Sequence, residues 1–322
     1  MNWILLSLLY AVINAVYVMF NSKHHYDGYV LGIWRGFGIS LLVSPLLFTV
    51  PLDIAADYFL ILIMQGIMIG IYDSHLFFAT SRYGAHASSG FMATTVLVTV
   101  LLWWSIDFEE LRRLLQEPVR LISLGLIFCG FSVSYWQMMK VHVSLEAEKY
   151  LYPAVFALAL MSIATRYIAL NGGSAYAGVV YYLTIACFVS GVYNLVAFMF
   201  KRSRKKIDCF PPHPNPPPPR GEGRDSAICN SVNPSDNDGD KTKLLMAPLK
   251  HWRGAWLIVF STILIGAKTL AFRYADNPAY VMAMLLLSPM FAEVIQTHRL
   301  KITPFVVLVL VFLGLMLGIA LS

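Results

Sequence analysis

At 322 residues, 58% hydrophobic and 13% charged, the chain is much poorer in charge than a soluble domain, where about a quarter of residues are charged. The formal net charge is +6, and ten Lys/Arg against six Asp/Glu within residues 201–250 account for four of those units, so the basic balance does not mark a nucleic-acid binder. The apolar runs are continuous rather than alternating, which excludes a lipid-facing β-barrel and reads as an all-α polytopic membrane protein.

Ten apolar runs are predicted as helical spans: 3–21, 29–50, 58–80, 85–106, 119–140, 150–170, 177–200, 254–274, 279–297 and 302–321. Each approaches the roughly 20 residues that cross a ~30 Å hydrocarbon core as a helix. Span 1 follows Met1 and Asn2 without a basic leader or a small-residue cleavage site, and is expected to stay in place rather than be removed as a signal peptide. In span 2, Arg35 stands about six residues inside the start, ~9 Å by helix rise, where a long side chain either snorkels outward or turns into the bundle.

Span 3 places Gly66, Gly70, Asp73, Phe77 and Thr80 at steps of three and four, so Asp73 shares the glycine face and points inward. The pairs Gly32/Gly36 in span 2 and Gly314/Gly318 in span 10 repeat the small-xxx-small spacing of close helix packing. His75 belongs to the same span; a histidine titrates near neutral pH, although a lone one in a span more often serves packing. Glu109–Glu110 and Arg112–Arg113 fall in the loop expected between spans 4 and 5. Arg166 and Arg273 lie near span ends and are expected to snorkel.

Between spans 7 and 8, residues 201–250 hold nine of the sixteen prolines, followed by an Asn/Asp/Ser-rich tract. Such a segment buries no apolar surface and reads as a disordered, Pro-rich inserted linker whose basic start suits anionic headgroups. In span 9, Ser288–Pro289 interrupts the helix ladder, and Thr94–Thr95 occupies the matching position in span 4. Freed carbonyls and hydroxyls there suit either a polar substrate contact or a simple kink. Glu293 follows in span 9. The four cysteines, Cys129, Cys187, Cys209 and Cys229, show no CxxC spacing, and His24, His25 and Asp27 lack further ligands, so neither a zinc site nor a disulfide framework is expected.

The spans repeat. A slide of 150 positions lays Tyr17, Asn21, Tyr26 and Gly28 on Tyr167, Asn171, Tyr176 and Gly178, and a slide of 196 lays Ile67, Ile69 and Gly70 on Ile263, Ile265 and Gly266. The two slides differ by 46 residues, which sizes the insertion. Residues 1–149 then form one five-helix repeat, residues 150–200 and 251–322 the second, and 201–250 the linker. An odd number of spans per copy inverts the copies relative to one another, a transporter architecture. The repeat sets Lys268 against Tyr72, beside Asp73, and predicts that Asp73 and Lys268 neutralise each other or share a substrate's charges. Ionisable groups in spans are costly and count as functional candidates. The predicted substrate-binding residues are Arg35, Tyr72, Asp73, His75, Thr94, Thr95, Lys268, Ser288 and Glu293; none is assigned to catalysis or to a metal.

Ten short-looped helices in two inverted halves, with Arg35 in span 2, Ser288–Pro289 in span 9 and the run YDSHLFFATSRYGAHASS joining spans 3 and 4, resemble the drug/metabolite transporter superfamily, EamA-type. The resemblance covers spans 1–10 and leaves out 201–250. It implies a cavity lined by spans 1, 3, 4, 6, 8 and 9, alternating access, and cytoplasmic termini. Two features depart from that pattern: Thr94–Thr95 replaces the usual proline of span 4, and the linker is longer. The charge bias disagrees about orientation. Lys23, Arg82, Lys140, Lys149, the linker cluster, Arg299 and Lys301 share one face, which the positive-inside rule places in the cytoplasm and the termini outside.

The expected function is a secondary carrier of a small organic metabolite or amphipathic compound in the cell (inner) membrane, with Asp73 or Glu293 as candidates for proton coupling. Its partners are then the solute and the lipid bilayer, with no nucleic acid and no cofactor. No HExxH, GxSxG or P-loop is present, which argues against a membrane-embedded enzyme or an ATP-driven pump. A non-transporting scaffold or lipid-handling subunit is the alternative.

Overall fold

The computed structural model describes residues 2–24, 26–51, 54–83, 93–118, 145–203, 252–275 and 278–288, with scattered positions between 121 and 136 and at 291 and 295. Every regular element among them is a helix. Five stretches are long and apolar enough to cross a membrane: Gly28–Thr49, Ala56–Thr80, Lys149–Asn171, Ala175–Phe200 and Arg253–Tyr274. They coincide with predicted spans 2, 3, 6, 7 and 8. Shorter apolar helices, Trp3–Tyr17 and Thr94–Ile106, occupy predicted spans 1 and 4. The chain is a helical membrane protein. Predicted span 10, most of span 5, residues 204–250, Pro289 and Glu293 lie outside the described residues.

Local chemistry explains where the helices begin and break. Helix α1 covers Asn2–His24, and α2 (Gly28–Val43) starts at Asp27, whose carboxylate accepts from the backbone N–H groups of Tyr29 at 2.9 Å and Val30 at 3.3 Å. Such an N-cap satisfies donors that the first turn leaves without intrahelical partners. Pro45 then opens a 3₁₀ turn, Ser44–Thr49. Helix α3 runs unbroken over Ala56–Tyr83, and α4 covers Ala93–Ile106. Residues Phe108–Gln116 form a short helix, α5, where a loop was predicted. Phe108, Leu111 and Leu115 recur on one face and Glu109 precedes Arg113 by four, a spacing that supports an amphipathic helix at a membrane surface.

The second half has the same character. Helix α6 (Leu145–Asn171) ends in a turn through Gly172 and Gly173. Gly173 has φ +74°, and a Cβ on Gly172 would stand 2.7 Å from the Gly178 Cα, so both positions require glycine. Ser174 caps α7 (Ala175–Tyr181), which widens into a π turn at Tyr182–Ala186 before α8 (Cys187–Ser203). Helix α9 covers Arg253–Tyr274, and α10 (Pro278–Ala283) tightens to 3₁₀ over Met284–Leu287. The predicted break at Ser288–Pro289 therefore begins a turn earlier. A proline lacks the N–H that would close the ladder, so a proline following in the sequence disfavours α geometry in the turn before it.

The bundle packs α3 along α6, α1 along α9, and α2 across α8. Helix α4 rests on α6, while α10 and its 3₁₀ turn rest on α1; α8 also meets α3, and α9 meets α2. The glycine pairs predicted for packing in spans 2 and 3 both face the π turn and α8. A Cβ on Gly36 would lie 2.4 Å from the Gly191 backbone N, and one on Gly66 would lie 2.5 Å from the Ala186 carbonyl O. Those contacts bring α2 and α3 against the same neighbour and set Arg35 and Asp73 on converging faces.

Candidate functional site

One turn along α3 from Gly70, Asp73 is fully buried, and Arg35 of α2 is 3% exposed. Arg35 Nη1 and Asp73 Oδ2 form the ion pair, the only one among the described residues. The second carboxylate oxygen, Oδ1, accepts a hydrogen bond from the Tyr17 hydroxyl of α1 at 2.9 Å. Tyr17 also lies under the guanidinium, 5.2 Å from ring centroid to Cζ, and packs on Phe77 at 5.1 Å. Three helices thus meet through one carboxylate. Arg35 does not snorkel, because a buried carboxylate within reach offsets the desolvation that a lone cation would meet.

The predicted neutralisation of Asp73 by Lys268 is replaced by the Arg35–Asp73 pair. Lys268 is 3% exposed, and its Nζ stands 5.7 Å from the Phe272 ring centroid, with Arg35 within coulombic reach. Tyr72 is buried beside Asp73 and Arg35. His75 does not join this group. Two residues on from Asp73 is roughly 200° around the helix; its Nδ1 lies 2.8 Å from the Ile71 carbonyl O, and its ring packs at a tilt against Tyr150 at 5.2 Å.

Toward span 9, Asn14 of α1 donates to the Ser288 hydroxyl at 3.0 Å. Thr94 and Thr95 sit on α4, which packs against α10 and the 3₁₀ turn, and neither hydroxyl has a hydrogen-bond partner among the described residues. Glu293 lies outside the described residues. A further polar group, absent from the sequence reading, joins Gln65 of α3 to Thr165 at 3.1 Å and to the Tyr182 hydroxyl at 2.7 Å. The π turn carries that hydroxyl, in keeping with the frequency of π-bulges at functional sites. Tyr10, Asn14 and Tyr17 recur at steps of four and three on α1, and that polar face was the signal available for two of the missed contacts.

Arg166 and Arg273 also depart from expectation. Arg166 of α6 donates to the Phe272 carbonyl O at 3.1 Å and to the Ala275 carbonyl, and lies over the Trp103 ring at 5.5 Å. Arg273 of α9 donates to the Ala169 carbonyl and, at 3.2 Å, to the Gly173 carbonyl. Helix C-termini present unpaired carbonyls and partial negative charge, so both cations bind there instead of reaching outward. The Tyr58 hydroxyl donates to the Ile168 carbonyl at 3.1 Å, the Tyr181 hydroxyl donates to the Pro51 carbonyl, and Thr49 and Tyr176 share a hydrogen bond of 2.9 Å. These contacts tie the ends of α3, α6, α7, α9 and the turn after α2 into one layer. Compared with protein-family models and with curated proteins, the chain matches none.

Proposed function

We propose that this protein is a secondary transporter of a small organic metabolite or amphipathic compound, working by alternating access with ten spans in two inverted five-helix halves. The observation that carries the reading is the buried Arg35–Asp73–Tyr17 constellation in a helical membrane protein, with the buried Lys268 of α9 within coulombic reach of Arg35. Charges held inside a membrane bundle mark solute and ion pathways. The packing supports the inversion. Exchanging spans 1–5 with 6–10 turns the α1–α9 contact into α6–α3, the α2–α9 contact into α8–α3, and the α4–α6 contact into that of the α10 region with α1, while α2–α8 maps onto itself. Those features fit the EamA-type drug/metabolite transporters of the cell membrane.

In this reading the two halves rock about the α2–α8 crossing, and the arginine layer closes one end of the pathway. Asp73 is the coupling residue: proton uptake on Asp73 removes the charge that holds Arg35 and frees the Tyr17 hydroxyl. Purified protein in liposomes is expected to give saturable uptake of at least one compound from a metabolite panel. Asp73→Asn should abolish that uptake, and a folded protein with no saturable flux for any compound would sink the proposal.

The gate has its own test. With the native cysteines replaced by serine, Ala169→Cys should react slowly with a membrane-impermeant maleimide, because Ala169 is buried beneath the layer. Adding Arg166→Met and Arg273→Met should raise the labelling rate at least tenfold. An unchanged rate would show that the two arginines do not close this end.

A further inference from the structure

Donors outnumber acceptors around the buried charges. With all three ionised, Arg35, Asp73 and Lys268 sum to one positive charge, and both oxygens of Asp73 are already engaged by Arg35 and Tyr17. Lys268 makes no hydrogen bond or ion pair among the described residues, and its Nζ stands 5.7 Å from the Phe272 ring centroid. The Nε of Arg35 is buried and has no acceptor either. An ammonium offers three donors and no acceptor, and a guanidinium five donors and none, so an anionic acceptor would both take their hydrogen bonds and cancel the surplus charge. Retaining an ammonium inside a bundle without a counter-charge is costly, and a cation–π contact offsets a part of that cost.

Resting on the transporter reading, we propose that the solute is an organic monocarboxylate whose carboxylate binds the Lys268 ammonium. Charge balance selects the class. One carboxylate cancels the single surplus charge, whereas a phosphate monoester, at about −1.5 to −2, leaves the buried group negative. A cationic amine adds to the surplus. The aromatic surroundings, with Phe272 under Lys268 and Tyr72 beside Asp73, favour an apolar or aromatic body on the acid.

Thermal unfolding of the purified full-length protein in detergent tests this without requiring transport. Acetate, butyrate and phenylacetate are the carboxylate probes; phenethylamine, phenylacetamide and phenyl phosphate are the matched controls. At least one carboxylate, phenylacetate foremost, is expected to raise the unfolding temperature saturably, and the amine and amide are expected to have no effect. Lys268→Met should weaken that apparent affinity at least tenfold, and Lys268→Arg should restore most of it. Stabilisation by none of the three acids, or only by the amine or the phosphate ester, would overturn the proposal. So would a Lys268→Met protein that regains stability only with Glu293→Gln, since that identifies an internal counter-ion. Carboxylate binding without flux in liposomes would keep this inference and remove the transporter reading.

Discussion

Asp73→Asn is expected to destabilise the protein by about 3–5 kcal/mol, the range seen when one partner of a buried ion pair is removed. The loss arises from what stays behind: the Arg35 guanidinium, 3% exposed, keeps its charge and loses its only carboxylate. Arg35→Gln should cost a similar amount, since it leaves the Asp73 carboxylate with only the Tyr17 hydroxyl. The double variant Arg35→Gln/Asp73→Asn should recover part of the summed loss, because no unpaired charge remains. Combining Asp73→Asn with Lys268→Met should recover nothing, as the lysine is not the partner. Unfolding midpoints in detergent for the four variants and the parent would measure all of this. Additive losses for Arg35 and Asp73, with rescue by Lys268→Met, would reassign the pair.

Gly36→Ala should be as damaging, through shape rather than charge. The added Cβ would meet the Gly191 N at 2.4 Å, the Gly191 Cα at 2.6 Å and the Cys187 carbonyl O at 2.8 Å. All three are backbone atoms, so no rotamer change relieves the clash and α2 must move off α8. A cost at or above the upper end of the about 1–3 kcal/mol typical of overpacking follows, with loss of monodisperse protein on size exclusion. Gly266→Ala is the control: nothing lies within 4 Å of a Cβ at that position. It should be neutral or slightly stabilising, since alanine is the better helix former by about 1 kcal/mol. Equal behaviour of the two variants would mean that α2 and α8 are not in close contact.

The inward face of span 3 was legible because helical spacing ties Asp73 to Gly66 and Gly70, and a short acidic side chain cannot reach the interface from there. The partner of Asp73 was not legible. A repeat alignment shows which positions correspond, not which side chains meet. Asp73 pairs with Arg35, and Lys268 makes no ion pair with it among the described residues. Arg35 belongs to a helix of the same half, and nothing in its neighbours' periodicity distinguished pairing from snorkelling. Tyr17 entered the reading only as a repeat match, because a tyrosine in an apolar run reads equally well as core or as an interfacial anchor. The roles of Arg166 and Arg273 depend on where two other helices end, which no local pattern encodes.

The arginine contacts between α6 and α9 have a logical structure of their own. Arg166 grips the end of the helix that carries Arg273, and Arg273 grips the end of the helix that carries Arg166. Separating the two helix ends therefore strains both contacts at once. Two such interlocked contacts do not open by degrees: once one lets go, the helix end bearing the second is no longer fixed, and the second follows. The two contacts are therefore expected to be lost together, rather than one after the other, when the ends of α6 and α9 separate.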